Sequence, residues 1–459
     1  TRNKYTLTIN PNGGTYNGST SNTVSSEYYE ATKTISNPTK TGYTFSNWTK
    51  SGNATLSGTT LTMGSESTTL TANYTANKYT VNFNANGGSV SPSSMTVTYG
   101  STYGTLPTPT KSGHEFIGWF TSATNGTQIK VSSTVSITTT QTLYAHWKQN
   151  VTLAQYLINN YSTLGLTKID QTATGNQNYA TTEYRYQGKT PNNYITFNGE
   201  TGVWRIIGVF EVETPNGDGT YTKENKVKIV RDTIGKVAWD YKGSGSYKND
   251  WTTSTLMTML NTGPYYNRTS GYTKLACSTG YDTTISETAI CNYESNGLTD
   301  NARNQISSTK WYLGNINYKG NTKEIYTQER STSVFSGNKQ TWDGKVALIY
   351  QSDYMYASSA CYNDDTKKGY DSSGSSPYDT DYRSETCKST NWLFTGSLYW
   401  AVSPSSSSSR FALNVGDSGD VYGSFTSSSS GGLRQSVYLD TNVNYISGDG
   451  TSGNPFVIN

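Results

Sequence analysis

The sequence predicts a multidomain chain, with two small β-rich repeats in front of one larger α+β domain. Three observations predict it. KYTLTINPNGG (Lys4–Gly14) returns 74 residues later as KYTVNFNANGG (Lys78–Gly88). Strand-favouring Thr, Tyr and Val dominate the chain. Its 459 residues exceed one ordinary domain. Only 32% of residues are hydrophobic, yet 13% are aromatic, just 15% are charged and the net charge is +3. Disordered chains are highly charged and poor in aromatics, so this is a folded, polar chain of extracellular type. A charge this balanced gives no case for a nucleic-acid partner. No apolar run approaches the roughly 18 residues that span a bilayer. Thr1-Arg2-Asn3 runs straight into a strand-like pattern, without a basic and apolar leader. The expectation is a processed or truncated chain, with any membrane or wall anchor in an upstream segment.

The boundaries read as 1–76 for the first repeat, 77–149 for the second and 150–459 for the large domain. Each repeat opens on an alternating strand, with Tyr5, Leu7 and Ile9 on one face and Tyr79, Val81 and Phe83 in the copy. Asn12-Gly13-Gly14 and Asn86-Gly87-Gly88 supply positive-φ turn residues. NPTKTGYTFSNW (Asn37–Trp48) recurs as TPTKSGHEFIGW (Thr108–Trp119), and LTANY (Leu70–Tyr74) as LYAHW (Leu143–Trp147). These blocks resemble the B-repeat of internalin-type bacterial surface proteins. The resemblance implies a β-grasp-like module serving as a stalk, with Trp48 and Trp119 in its cores. His114 reads as a packed ring and His146 as solvent-facing.

In the large domain, Val151–Gly165 reads as a short amphipathic helix. Asn193–Asn198 and Val203–Val209 read as paired strands around Asn198-Gly199, and Glu211–Lys226 as a hairpin loop leading to a strand at Lys226–Val230. Thr252–Asn261 reads as a helix capped by Thr252 or Thr253, and Thr299–Thr309 as a second capped by Thr299. Lys345–Tyr350 is a buried strand. The four cysteines show no C-x-x-C spacing. Nearest-neighbour pairing gives disulfides Cys277–Cys291 and Cys361–Cys387, the other reading being four free thiols.

From Trp400 to Leu439, apolar anchors at strand period (Phe411, Leu413, Val415, Val421, Val437, Leu439) alternate with small polar residues. This predicts strands with polar, permissive exposed faces. WRIIGVF (Trp204–Phe210), WDGKVALIYQSDYMYA (Trp342–Ala357), NWLF (Asn391–Phe394), W-x-x-S-P (Trp400–Pro404) and G-L-R-x-x-V-Y-L (Gly432–Leu439) resemble the C-type-lectin-fold proteins of gut bacteria and their phages. Those are related to the formylglycine-generating-enzyme-like branch, which includes variable proteins of diversity-generating retroelements. Leu433 and Gln435 depart from the commoner Val and Pro of that motif. The resemblance implies a C-type-lectin-like domain with a diversifiable ligand-binding segment at about 400–439. Ser405, Ser406, Ser407, Ser408, Ser409, Arg410, Asn414, Asp417, Asp420, Tyr422 and Ser424 would contact a protein or glycan on another cell, a host surface or a phage. Arg434 would fix the fold through a carboxylate or backbone carbonyls. The alternative is a spacer or surface-fibre subunit with inert serines.

Catalysis is not expected. No His follows His146, so Gly416-Asp417-Ser418-Gly419-Asp420, which mimics a serine-protease motif, has no imidazole base. Asp364-Asp365 and Asp379–Asp381 are acids of a kind that bind Ca²⁺, but such a site needs six to eight converging oxygens. No metal site or cofactor is assigned.

Overall fold

The computed structural model describes residues 2–173, 175–233, 235–240, 248–272, 277–278, 291–370, 381–426 and 431–459, with backbone alone at 271–272, 277–278 and 291. The chain divides into two compact units, Thr1–Asn150 and Val151–Asn459.

The first unit holds both repeats. In the first, Lys4–Asn10 pairs antiparallel with Thr23–Tyr28 and parallel with Thr68–Ala76, which pairs antiparallel with Tyr43–Ser51. The second repeats this order with Lys78–Asn84, Ser94–Thr98, Gln141–Gln149 and His114–Phe120. Leu7, Ile9, Leu61 and Leu70 fill one core, and Val81, Phe83, Trp119 and Leu143 the other. The repeated motif residues have defined tasks. Asn12 and Asn86 both adopt φ 48°, a conformation that short polar side chains tolerate. Their Nδ2 groups donate to Ala72 O at 2.9 Å and to Ala145 O at 3.1 Å, so each turn is tied to its closing strand. The aromatic ending that strand returns the tie: Tyr74 OH donates to Pro11 O and Trp147 Nε1 to Ala85 O.

The copies differ at two predicted positions. Trp119 is buried and donates to Pro107 O at 2.8 Å. Trp48 is only half-buried at the core margin, against Tyr16 and Phe45. His146 is not simply solvent-facing. It is half-buried, stacks flat on Phe120 at 3.9 Å, and places Nε2 2.8 Å from Ser122 O. His114 lies with Nδ1 2.8 Å from Ser112 O.

The second unit is built on a mixed-length antiparallel sheet in the order Leu166–Gln171, Thr181–Tyr186, Glu200–Pro215, Tyr221–Arg231, Gln435–Tyr438, Val346–Leu348. A second sheet orders Lys236–Val237, Gly431–Gly432, Tyr399–Pro404, Phe411–Val415 and Val421–Phe425. Several sequence expectations need correction. Glu211–Lys226 is mostly ladder: Glu200–Pro215 pairs along its length with Tyr221–Arg231, leaving a loop of only Asn216–Thr220. Its alternating Glu, Thr and Lys are the half-exposed end of long twisted strands. The helix expected at Thr252–Asn261 is a 3-10 turn at Trp251–Thr253 followed by Thr255–Asn261, capped by Ser254, whose hydroxyl accepts from Met257 N. The helix at Thr299–Thr309 stops at Gln305, because Thr309–Tyr312 turns into a strand against Thr341–Gly344. Seven short α-helices occur among the described residues, where the sequence marks three. Cys361 and Cys387 form a disulfide with Cα atoms 5.5 Å apart. The side chains of Cys277 and Cys291 lie outside the described residues.

Charge sits at the centre of this unit. Asp353, on the helix Gln351–Tyr356, receives Lys228 Nζ at 2.6 Å and Arg185 Nη1 at 3.0 Å. Arg185 Nε also donates to Glu183 at 2.8 Å, and Tyr326 OH to the other Glu183 oxygen. All four charged side chains are 2% exposed or less. Rings wrap the cations: Arg185 lies between Phe210 and Tyr356, and Lys228 faces Tyr350 and Trp311. Burial alone would raise the Asp353 carboxyl, but Lys228 and Arg185 hold it below its ordinary range. Nearby, Glu329 accepts from Ser352 N, the Ser352 hydroxyl and Arg330. Burial pushes its carboxyl up to about 7 despite Arg330 and Ser352.

Two predictions follow from these groups. Asp353→Asn leaves two buried cations short of an anion and should cost about 3–5 kcal/mol in denaturant unfolding. A loss under 1 kcal/mol would contradict the assignment. Glu329 has a folded pKa above its unfolded value, so its contribution is complete below about 4.3 and is lost as pH rises through about 7. In a pH series, the stability of Glu329→Gln relative to the natural chain should rise over that window by an amount of order 3 kcal/mol; a pH-independent difference would refute it.

Candidate binding face

The serine-rich segment folds as a three-strand meander, Tyr399–Pro404, Phe411–Val415 and Val421–Phe425, at one edge of the second sheet. Its period-2 pattern places Leu413, Val415 and Val421 fully inside. Phe411 and Phe425 face each other across the last two strands at 4.5 Å, edge to face. Phe425 is 48% exposed.

The predicted contact residues separate into two groups. Ser406, Ser407, Ser409, Arg410 and Asp417 are exposed, and Ser408, Tyr422 and Ser424 half-exposed. Ser405, Asn414 and Asp420 are buried, against the expectation of an open polar face. Each is held by its neighbours. The Ser405 hydroxyl lies 2.7 Å from the Ser407 hydroxyl. Asn414 stands between Trp400 and Tyr422 on adjacent strands and donates to Ser424 Oγ at 2.7 Å. Asp420 closes the turn after Val415: its carbonyl accepts from Gly416 N, and its carboxylate accepts from the Ser418 hydroxyl at 2.9 Å. Burial raises its pKa. The protease-like motif is therefore a strand-joining turn, with Gly419 at φ 91°. Ser427–Ser430 lie outside the described residues.

What holds the serine run was invisible in the sequence. Asn249 is fully buried beneath it. Its Nδ2 donates to Ser405 O at 3.2 Å, Ser408 O at 3.0 Å and Phe411 O at 3.0 Å, and its backbone N–H donates to Ser409 O at 2.7 Å. Asn338 Nδ2 in turn donates to Asn249 Oδ1 at 3.0 Å. An isolated Asn more than 150 positions upstream carries no pattern that would mark it. Phe425 was also missed, being one aromatic among polar neighbours.

The Gly432-Leu433-Arg434 motif closes the unit from the other side. A Cβ on Gly431 would stand 2.8 Å from the Trp400 indole, and one on Gly432 2.9 Å from the Thr233 methyl. Arg434 is 1% exposed and donates to the carbonyls of Arg231 and Leu393, with Asp232 at 3.5 Å. It supports the fold through carbonyls, as expected of it. The loop acids are engaged individually: Asp364 with Thr366, Asp365 with Lys323 and Asp381 with Arg383. Asp379 lies outside the described residues. Away from the meander, a cleft of about 400 Å³ opens beside Tyr356, Tyr362, Gln171 and Lys323.

Comparison with protein families adds to this geometry in the first unit. Residues 5–73 and 79–146 each match the Listeria-Bacteroides repeat domain. The two repeats are thus tandem copies of one known module, and repeats of this family occur in surface proteins. That agrees with a surface or structural role. No curated protein matches the chain. Among the described residues, no helix is long and apolar enough to cross a membrane.

Removing the Asn249 side chain leaves three loop carbonyls without their shared donor. Asn249→Ala should cost about 1–3 kcal/mol and raise hydrogen exchange at Ser406–Phe411 above that of the strands. Unchanged exchange there would show that the loop is held otherwise.

Proposed function

We propose that the chain is an extracellular surface protein that binds a ligand non-covalently, with the two repeats as stalk and the meander of the second unit as recognition face. One observation carries this reading: the serine run is fixed through its carbonyls by Asn249. Its shape therefore rests on backbone bonds more than on the exposed side chains of Ser406, Ser409 and Arg410. Those side chains can change at small folding cost, usually within about 0.5 kcal/mol, while the backbone that presents them stays put. The C-type-lectin-like relationship belongs to this proposal, as does diversification of the segment. Both are supported by the sequence motifs and by a backbone that tolerates exchange.

Ser, Asn and Tyr provide adaptable contacts of the kind antibody loops use. Arg410 beside the Phe411–Phe425 pair adds a cation and an exposed ring, the residue types that dominate binding hot spots. The expected ligand is a polar protein or glycan surface.

The test uses the whole chain against arrays of glycans and cell-surface proteins. For any ligand recovered, Arg410→Ala with Phe425→Ala should weaken binding at least about tenfold, or 1.4 kcal/mol. Tyr362→Ala, in the separate cleft, should leave it unchanged. The opposite result would move the site to that cleft and discard the meander as recognition face.

A further inference from the structure

The two repeats are joined at Asn77, which bonds to both. Its N–H donates to Gly42 O at 2.9 Å, and its carbonyl accepts from Tyr99 N at 2.9 Å. Its side chain accepts from the Thr44 hydroxyl at 2.6 Å. Tyr99 then lies flat against the first repeat. A Cβ on Gly42 would meet the Tyr99 ring at 2.3 Å, and the rings of Tyr43 and Tyr99 stand edge to face at 5.4 Å. The junction is thus a glycine seat, a tyrosine laid on it and an asparagine bonded to both repeats.

Half of this junction exists again at the front of the first repeat. Aligning the two sheets through Lys4↔Tyr28 and Lys78↔Thr98 puts Asn3 at the place of Asn77, Tyr29 at that of Tyr99, and Glu30 at that of Gly100. The shared bond is present: Tyr29 N donates to Asn3 O at 2.9 Å, as Tyr99 N does to Asn77 O. Glu30 and Gly100 both keep a left-handed backbone, at φ 62° and 78°. A non-glycine residue at φ 62° is uncommon, and here it preserves the junction's shape. Tyr29, however, lies on no glycine seat and is 40% exposed, and Tyr28 next to it is exposed as well.

We propose that the end of the first repeat formed by Asn3, Tyr29 and Glu30 is a docking face for a further repeat of the same kind, joined through the backbone at Asn3. The interface between the two existing repeats supplies the geometry, and three matched positions continue it. A separate copy of the chain fits less well. Its second repeat offers Gly113 as the seat, but Asn150 already donates to Gly113 O at 2.9 Å and fills the place Asn3 would take. Glu30 sets a preference within the repeat type. A Cβ at Gly100 would stand 2.8 Å from the Tyr43 hydroxyl, so the side chain of Glu30 disfavours a tyrosine opposite it. A shorter imidazole, as at His114, leaves room and can donate a ring N–H to the carboxylate.

The experiment compares the whole chain with a longer one in which residues 78–149 run directly into Asn3. Tyrosine nitration by tetranitromethane, mapped by peptide mass, reads the face. Tyr29 should be nitrated in the present chain and lose that reactivity in the extended one. Gly113→Val in the added repeat, which removes the seat, should restore it. Equal nitration of Tyr29 in both chains would overturn the proposal. So would concentration-dependent self-association of the present chain that Tyr29→Ala abolishes, since that would assign the face to a second copy.

Discussion

Asp353 is the anion on which the second unit turns. It sits where the first turn of a helix meets two neighbouring regions of the main sheet, and it answers a lysine from one strand and an arginine from another. A carboxylate there is costly to bury, and so are two cations. The group is stable only because all of them are buried together with their hydrogen bonds satisfied. This makes the cluster a matter of geometry more than of net energy: strand, strand and helix must arrive in one arrangement or a charge is stranded. The surrounding Tyr and Trp rings explain how a chain of low aliphatic content encloses such a centre. Aromatic faces shield the cations and tolerate them through their negative quadrupole.

The same economy appears at the serine-rich face. There the constraint is one neutral amide beneath the loop, which binds carbonyls instead of side chains. The unit therefore has two kinds of polar tie. In the interior, specific side chains are bound to each other and cannot be exchanged. Beneath the rim, a side chain binds backbone, and the exposed residues above it are not what that side chain grips.

How far this was legible in the sequence depended on the range of the cause. The repeats were legible because N-G-G, the Gly-x-x-Phe-x-x-Trp spacing and the final aromatic act within one small sheet. The alternation of Leu413, Val415 and Val421 marked buried strand faces correctly. The burial of Ser405, Asn414 and Asp420 was not legible, since a small polar residue reads the same whether it faces solvent or bonds inward, and only the folded meander shows which. Asn249 and Asp353 were missed for the same reason: a single polar residue acquires its meaning from partners more than a hundred positions away. The long Glu200–Pro215 ladder was misread because its outer half is polar, which hides a strand whose pairing partner lies just across a tight loop.

In each repeat the strand that opens the module and the strand that closes it lie side by side and parallel. The chain enters at one end of that pair and leaves at the opposite end. A pull along the chain therefore slides the two strands past each other and loads all the bonds of the ladder together, instead of unzipping them singly. For repeats pulled in series, this arrangement makes each one a clamp whose resistance lies along its own backbone.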